Sequence, residues 1–289
     1  MDKILQWSIA QQTGDQNAAN KIGQPDPNML NQLFGGPDEP TLMMQSMAVV
    51  NNEEATLPNK EVAFGNFEML IENMDNANNI ENIKLWPLVV RQLREDVPES
   101  LRIYGASCVG IAVQNNPKSQ QDFLKYEDGL KELINICKDD SSPRELYLKA
   151  MLAVSSFIRN FQAGYNKFDE LGGWEITKTN RTGEPKVYLR LLSLISAILS
   201  TEFDKKKEAH VHHSKLIERL TSILHEGSDI SCIDKALFIL MQMSSLDFQF
   251  NLEEVSSIAK GLEKIEPLKD RICMDDYVSV KYVVESSKA

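Results

Sequence analysis

Hydrophobic positions recur along this chain three and four residues apart, the spacing of amphipathic helices. Five such segments, each about a dozen residues long, can be aligned with one another at intervals of 41 to 45 residues. Their first aligned residues are Val62, Gly105, Lys149, Arg190 and Lys235. A helical period of this length without strand patterns is typical of armadillo or HEAT solenoids. The sequence therefore predicts an all-α, armadillo-like helical-repeat solenoid, a fold that displays an extended binding surface.

Shorter apolar stripes precede the aligned segments. One of them contains Leu216, Leu220 and Leu224, and another contains Leu130, Leu133 and Cys137. We therefore expect each repeat to consist of one or two short helices followed by a long one. In a three-helix armadillo unit, the third helix lines the concave surface.

Three successive aligned segments begin with a cation: Lys149, Arg190 and Lys235. Eleven residues after the first aligned position, three segments carry an asparagine: Asn73, Asn116 and Asn160. Residues at these offsets share one face of an ideal helix. Each residue taken singly is explained by solvation or by pairing with a local carboxylate. Taken together, the ladder indicates a surface that binds an acidic, polar protein partner.

Residues 1–40 have a different pattern. Two short apolar clusters are separated by a stretch rich in Gln and Asn and by the breakers of residues 23–27. Clusters this short do not form stable isolated helices. The pattern predicts either a disordered tail or a mobile segment that binds a partner through its Leu, Trp and Phe residues. We accordingly divide the chain into an N-terminal segment, residues 1–40, and a repeat domain, residues 41–289.

The charge and hydropathy of the chain exclude some classes of binding partner. The formal net charge of the 289 residues is −11. An acidic surface repels phosphate groups, which argues against nucleic acid and anionic membrane as partners. No apolar run is long enough to span a bilayer, and the N-terminus lacks the features of a signal peptide. We therefore expect a monomer in the cytoplasm.

Patterns of catalytic residues are missing from the sequence. It lacks the P-loop, the dinucleotide-binding fingerprint, the nucleophile elbow and the zinc-protease motif. The spacing of His210, His212 and His213 does not place three ligands on one helix face, which predicts a solvated helix start after residues 205–207 rather than a zinc site. The four cysteines lie singly in apolar helical patterns, which indicates reduced, buried thiols. We expect no enzyme, no metal and no cofactor.

Six segments are more specific than the repeat pattern. They are LQWSIA (residues 5–10), GQPDP (23–27), LNQLFGGPDEPTLM (30–43), NFEMLIENMDNANNIENIKLW (66–86), VQNNPKSQ (113–120) and IEPLKDRICMDDYVSVKYV (265–283). Together they resemble the fungal cytosolic, armadillo-type nucleotide-exchange factors of seventy-kilodalton heat-shock chaperones. The resemblance spans nearly the whole chain and is weak over residues 161–184 and 202–215.

This resemblance implies a four-repeat armadillo core whose concave face clamps the second lobe of the chaperone's nucleotide-binding domain. Clamping would open the cleft, so that ADP leaves, ATP rebinds and the client is released. The implied chaperone contacts are Asn76, Ala77, Asn79, Glu81, Asn116, Arg159, Asn160 and Arg190.

The resemblance also implies a role for the N-terminal segment. It would expel misfolded clients by binding the client or the chaperone's substrate-binding domain. The implied anchors are Leu5, Trp7, Ile9, Leu30, Leu33 and Phe34.

Two other armadillo functions are alternatives. Carriers of nuclear-localisation peptides pair each concave Asn with a Trp one turn earlier, which sandwiches lysine stems between indoles. Here Met69, Ala112 and Ser156 precede the three asparagines by four residues, so the aromatic partners are missing. A scaffold or adaptor for another protein partner stays open, although it leaves the N-terminal motifs unexplained.

Overall fold

The computed structural model describes Lys21, residues 37–178, Arg181 and residues 184–286. Within those residues the chain forms fifteen α-helices and two short 3₁₀ helices, and no β-strand. The helices are α1 (Glu39–Asn51), α2 (Leu57–Ile71), α3 (Met74–Asn79), α4 (Trp86–Arg91), α5 (Glu99–Val113), α6 (Pro117–Phe123), α7 (Glu127–Lys138), α8 (Arg144–Ile158), α9 (Gln162–Glu170), α10 (Pro185–Leu199), α11 (Lys205–His213), α12 (Leu216–Ser222), α13 (Ile230–Ser245), α14 (Leu252–Ile265) and α15 (Met274–Ser286). The six N-terminal anchor residues lie outside the described residues.

The five aligned segments are the long helices α2, α5, α8, α10 and α13, of 15 or 16 residues each. Each one packs against the next along the chain, while α1 and α15 pack against the first and the last. Shorter helices lie between consecutive long ones. The predicted repeat of short helices followed by a long helix is therefore confirmed.

Close packing between repeats produces one continuous core. A Cβ atom added at Gly110 of α5 would lie 3.4 Å from the backbone of Ala153 in α8, so these two helices approach closely. Aromatic rings also pack within and between repeats. The ring centroids of Trp86 and Phe123 are 5.3 Å apart, and those of Phe123 and Phe157 are 5.2 Å apart. Each repeat thus buries its apolar face only against its neighbours.

The structure corrects the register of the second repeat. Val62, Lys149, Arg190 and Lys235 are each the sixth residue of their long helix. The sixth residue of α5 is Tyr104 rather than Gly105. The three cations therefore occupy equivalent positions, as predicted.

The predicted asparagine ladder does not lie on the helix face, and this part of the prediction was wrong. The long helices end before these residues. Asn73 and Asn116 cap the N-termini of α3 and α6, where their side chains accept hydrogen bonds from backbone N–H groups of the next turn. Asn160 follows α8 with φ of 54°, in the left-handed region that Asn tolerates better than most residues. Local backbone geometry accounts for all three.

Side chains of neighbouring segments cap the carboxyl ends of the long helices. The last carbonyls of a helix have no partner within it and need one elsewhere. Asn76 Nδ2 donates a hydrogen bond of 2.9 Å to the carbonyl of Leu70 in α2. Gln120 Nε2 donates to the carbonyls of Ser156 and Phe157 in α8, at 3.0 and 2.9 Å. The Asn76 bond ties one repeat to the next, and the Gln120 bonds tie α6 to the long helix of its own repeat.

Lys207 caps the end of α10 in the same way. It lies within α11, which begins at Lys205 and not after residue 207 as predicted. Its side chain is fully buried. The ammonium donates to the carbonyls of Ile198 and Glu202 at 3.0 and 2.6 Å, and to Thr201 Oγ1 at 2.6 Å. It also lies 3.9 Å from the ring centroid of Tyr165. Burial lowers the pKa of Lys207 to about 8.

Two of the clustered histidines contact other side chains of the fold, and three of the four cysteines are buried. His210 stacks on Trp174 with a centroid distance of 4.9 Å, and His212 Nδ1 lies 2.8 Å from Glu254 Oε1. Cys108, Cys137 and Cys232 are buried free thiols, as predicted, but Cys273 is exposed. Among the described residues, no group of three or more His, Cys, Asp or Glu is placed to hold a metal ion.

We expect Lys207 to stabilise the protein more at high pH than at neutral pH. Its pKa is lower in the folded state than in the unfolded chain, so the unfolded chain binds more protons between about pH 8 and about pH 10. The unfolding free energy of the wild type relative to Lys207→Met should rise by roughly 1–2 kcal/mol from about pH 7.5 to about pH 9.5. Urea unfolding at the two pH values measures this difference.

Lys205→Met is the matched control, because Lys205 is an exposed lysine of the same helical turn. Its difference from the wild type should not change over this range. A difference for Lys207→Met that falls as the pH rises would contradict the prediction.

Candidate protein-binding surface on the long helices

The long helices turn one face to solvent, opposite the core. In α8 this face carries Glu145, Leu148, Lys149 and Leu152, and in α10 it carries Lys186, Leu189, Arg190 and Ser193. Residues three and four apart share a helix face, which explains this spacing. Together they line a groove of about 640 Å³ between α8 and α10. We call the solvent face of α2, α5, α8, α10 and α13 the long-helix surface.

The positive charge of Lys149 is balanced by other residues of this surface. Its Nζ donates a hydrogen bond of 2.9 Å to Ser107 Oγ, and Ser107 Oγ donates in turn to Glu68. The ammonium lies 4.0 Å from Glu68 Oε1. Three residues from α2, α5 and α8 thus form one polar network. This cation therefore has an internal counter-charge.

Arg190 has no such partner. The described residues offer its half-buried guanidinium neither an ion pair nor a hydrogen bond, and burial lowers its pKa from the ordinary arginine value. Arg159 lies at the end of α8, and its Nη2 donates a hydrogen bond of 3.0 Å to the carbonyl of Ser193. Ser193 is one turn after Arg190 on α10, so Arg159 contacts the turn that follows Arg190.

Lys235 extends this basic region to α13. Its Nζ lies 4.4 Å above the ring centroid of Phe238. Burial is the main cause that lowers the pKa of Lys235, and the positive charge of Arg159 lowers it further, while Asp276 opposes both. Arg159, Arg190 and Lys235 are thus three half-buried cations at the end of α8, on α10 and on α13.

Residues 76–81 lie elsewhere, at the end of α2. Asn76 and Ala77 are buried, with 5% and 3% exposure. Asn79 accepts a hydrogen bond from Asn82, on the partly exposed side of the segment. Glu81 accepts hydrogen bonds of 2.8 Å from both Lys125 and Tyr126 in the next repeat. This segment of the second repeat therefore contacts both the first repeat, at Leu70, and the third, at Lys125 and Tyr126.

The other two predicted contact residues also lie at helix ends. Asn116 is buried and donates to Ser119 Oγ at 3.0 Å. Asn160 is exposed, and its backbone N–H donates to Ser200 Oγ at 2.8 Å. Of the eight predicted contacts, only Arg190 lies on a long helix, and Arg159 reaches the same helix from the end of α8.

Sequence reasoning missed the pairing of Lys149 with Ser107 and Glu68. No local pattern indicates this pairing, because each of the three residues belongs to a different repeat. Sequence reasoning also missed Phe238, whose spacing of three from Lys235 is compatible with a shared helix face. In the part of the chain that the structure describes, no helix is long and apolar enough to cross a membrane.

Solved armadillo structures have a similar fold. The designed armadillo repeat protein YIII(Dq)4CqI matches with a TM-score of 0.67 at 13% identity, covering 86% of this chain and 99% of that chain. A computationally designed armadillo repeat protein for modular peptide recognition matches with a TM-score of 0.66 at 14% identity and the same coverage. At these identities the likeness shows the fold alone, and it confirms the predicted armadillo-like solenoid.

Sequence comparisons show the family as well as the fold. Residues 1–80 match the family model of the nucleotide exchange factor Fes1, and residues 76–229 match that of the SIL1/FES1/HPBP1 C-terminal domain. The Hsp70 nucleotide exchange factor FES1 of Debaryomyces hansenii is 64% identical over 284 residues, covering 98% of this chain and all of the relative. Proteins of the same name from Candida albicans and Saccharomyces cerevisiae are 48% and 44% identical, covering 99% and 98% of this chain and all of each relative.

These matches confirm the resemblance indicated by the six sequence motifs, and they extend across the described repeats as well as the N-terminal residues. The chain therefore belongs to the Fes1 family of nucleotide exchange factors.

Proposed function

We propose that this chain is a co-chaperone that binds the nucleotide-binding domain of a cytosolic Hsp70 chaperone and promotes ADP release. The observation that carries the proposal is the 64% identity, over the full length, to a relative named for this function. The long-helix surface supplies the binding site. Its cations Arg190 and Lys235, with Arg159 beside them, suit an acidic partner surface.

The mechanism is a shift of the chaperone's conformational equilibrium. A factor that binds the open and the closed cleft equally shifts nothing, however tightly it binds. The continuous core makes the long-helix surface a rigid template, because closely packed helices transmit strain rather than yield to it. A rigid template that fits only the open lobe arrangement binds that state more tightly. A thousandfold preference corresponds to about 4 kcal/mol.

This mechanism requires no covalent step by the co-chaperone, because ADP release follows from a change in affinity alone. We accordingly propose a non-enzymatic, monomeric protein without a cofactor. The resemblance to the cytosolic branch of the family supports the cytoplasm as its location.

The predicted contacts separate into two roles in this proposal. Arg159 and Arg190 would contact the chaperone directly, since both lie on the long-helix surface. The segment of residues 76–81, Asn116 and Asn160 would mainly hold the repeats in register. Within that segment, Asn79 and Glu81 are partly exposed and offer the remaining direct contacts. Client release is assigned to the N-terminal segment, residues 1–40.

Release of a fluorescent ADP analogue from a cytosolic Hsp70 tests the proposal. The wild-type chain should accelerate release, whereas Arg190→Ala should weaken chaperone binding by about 10–100-fold, the loss expected for one buried charged hydrogen bond. Lys131→Ala is the control, because Lys131 is an exposed cation on α7, away from the long-helix surface. Helical melting should be unchanged in both variants. No acceleration by saturating wild-type chain would contradict the proposed function.

Removal of residues 1–36 should separate ADP release from client release. The cut spares Asp38, which caps α1, and Glu39, whose carboxylate accepts a hydrogen bond of 2.7 Å from Asn76. ADP release should therefore stay within about twofold of the full-length rate, while release of a bound misfolded client slows. Both rates are measured with the same client-loaded chaperone. Loss of ADP release on truncation would contradict this division of roles.

A further inference from the structure

The first helix of the solenoid exposes a face without charge. Of the thirteen residues of α1, only Glu39 at its start is charged. One side of the helix buries Met43, Met47 and Val50 through its packing against α2, α3 and α4. Away from this side, three large apolar residues are each more than a third exposed: Leu42, Met44 and Val49. With the exposed Ala48, we call these residues the outer face of α1.

Such a face is unusual at the end of a solenoid. A terminal helix needs a polar outer face, because no further repeat covers it. At the opposite end, α15 exposes the charged residues Asp275, Lys281 and Glu285 among its apolar ones. A helix that is apolar on all sides is typical of one that is covered on all sides. The outer face of α1 has no such cover within the described residues.

The chain itself supplies an apolar segment next to this face. Residues 27–37 contain no charged side chain and carry an apolar cluster outside the described residues: Met29, Leu30, Leu33 and Phe34. The last three are spaced as on one face of a helix. Only five residues separate Phe34 from Glu39, a stretch that can span up to about 17 Å. Since α1 is about 20 Å long, the cluster can reach most of its outer face.

We propose that Leu30, Leu33 and Phe34 dock on the outer face of α1 in the free protein. The contact buries apolar surface on both sides and desolvates no charge. Gly35 and Gly36 allow the chain to turn back along α1, since glycine adopts backbone conformations that other residues avoid. One family model matches residues 1–80, so the N-terminal segment and α1 occur together in that family.

Docking would hold part of the N-terminal segment in reserve. Leu30, Leu33 and Phe34 are anchors assigned to client release, and in the docked state they are covered by α1. A misfolded client or the chaperone would have to displace them before they act. This regulatory meaning rests on the proposed function, whereas the contact itself does not.

A second copy of the chain fits the outer face of α1 less well than this segment does. A short flexible tether gives its own segment an effective concentration of about 1 mM. Separate molecules in dilute solution meet at far lower concentrations. For apolar contacts of similar size, the intramolecular contact therefore prevails.

Hydrogen–deuterium exchange of the full chain tests the contact. Amides of residues 29–34 should exchange about tenfold more slowly in the wild type than in Leu42→Gln with Val49→Gln, which removes two apolar contacts. Glutamine is a good helix former, so α1 should persist in this variant. Val278→Gln with Tyr282→Gln is the matched control, because it removes two exposed apolar residues of α15. It should leave the exchange of residues 29–34 within about twofold of the wild type.

A reciprocal variant keeps the test decisive if the substitutions in α1 unfold that helix. Leu33→Ser with Phe34→Ser changes only the segment. It should speed amide exchange in α1 by about tenfold, because docking stabilises the helix against local opening. Unchanged exchange in α1 would overturn the inference.

Three further outcomes would also overturn it. The first is an absence of protection at residues 29–34 in the wild type, and the second is equal protection in the wild type and in the Leu42 and Val49 variant with α1 intact. The third is protection that grows with protein concentration, which would assign the outer face of α1 to a second copy. Because no chaperone takes part in this experiment, its failure is distinct from a failure of the proposed function.

Discussion

The packing of each long helix against the next is the constraint on which the rest of this structure depends. No single repeat has enough apolar partners to bury its own core face, so every repeat completes its neighbour. Gly110 lets α5 and α8 approach closely, and the rings of Trp86, Phe123 and Phe157 carry the core from the repeat of α5 into that of α8. Because this packing keeps equivalent turns side by side, the sixth residues of the long helices form one row on the long-helix surface.

Polar groups at the helix ends complete this packing. The carbonyls at the ends of α2, α8 and α10 are capped by Asn76, Gln120 and Lys207, three different residue types with the same function. Each cap satisfies a buried acceptor that would otherwise cost stability. The polar contacts at the helix ends therefore add to those of the apolar core in holding the helices together.

Charge is distributed unevenly over the long-helix surface. Lys149 is paired with Glu68 and Ser107, whereas Arg190 and Lys235, at the same position of α10 and α13, have no ion-pair partner among the described residues. A partner that binds through electrostatic complementarity therefore has one preferred orientation on this surface. Membership of the Fes1 family suggests what the partner is, and the charge pattern suggests how it is held. Neither statement follows from the fold alone, since armadillo-like solenoids bind many unrelated proteins.

The sequence by itself determined the all-α class, the period of the repeat, the five long helices and the family, because helical periodicity and long motifs are local properties of the chain. It also placed Arg190 and Lys235 on one face for the same reason. Only the tertiary structure decided that Lys149 is neutralised by Glu68, that Lys207 is buried and that Asn73, Asn116 and Asn160 serve the backbone. These outcomes depend on contacts between residues of different segments and on where each helix ends. Both are set by packing between repeats, which no local pattern records.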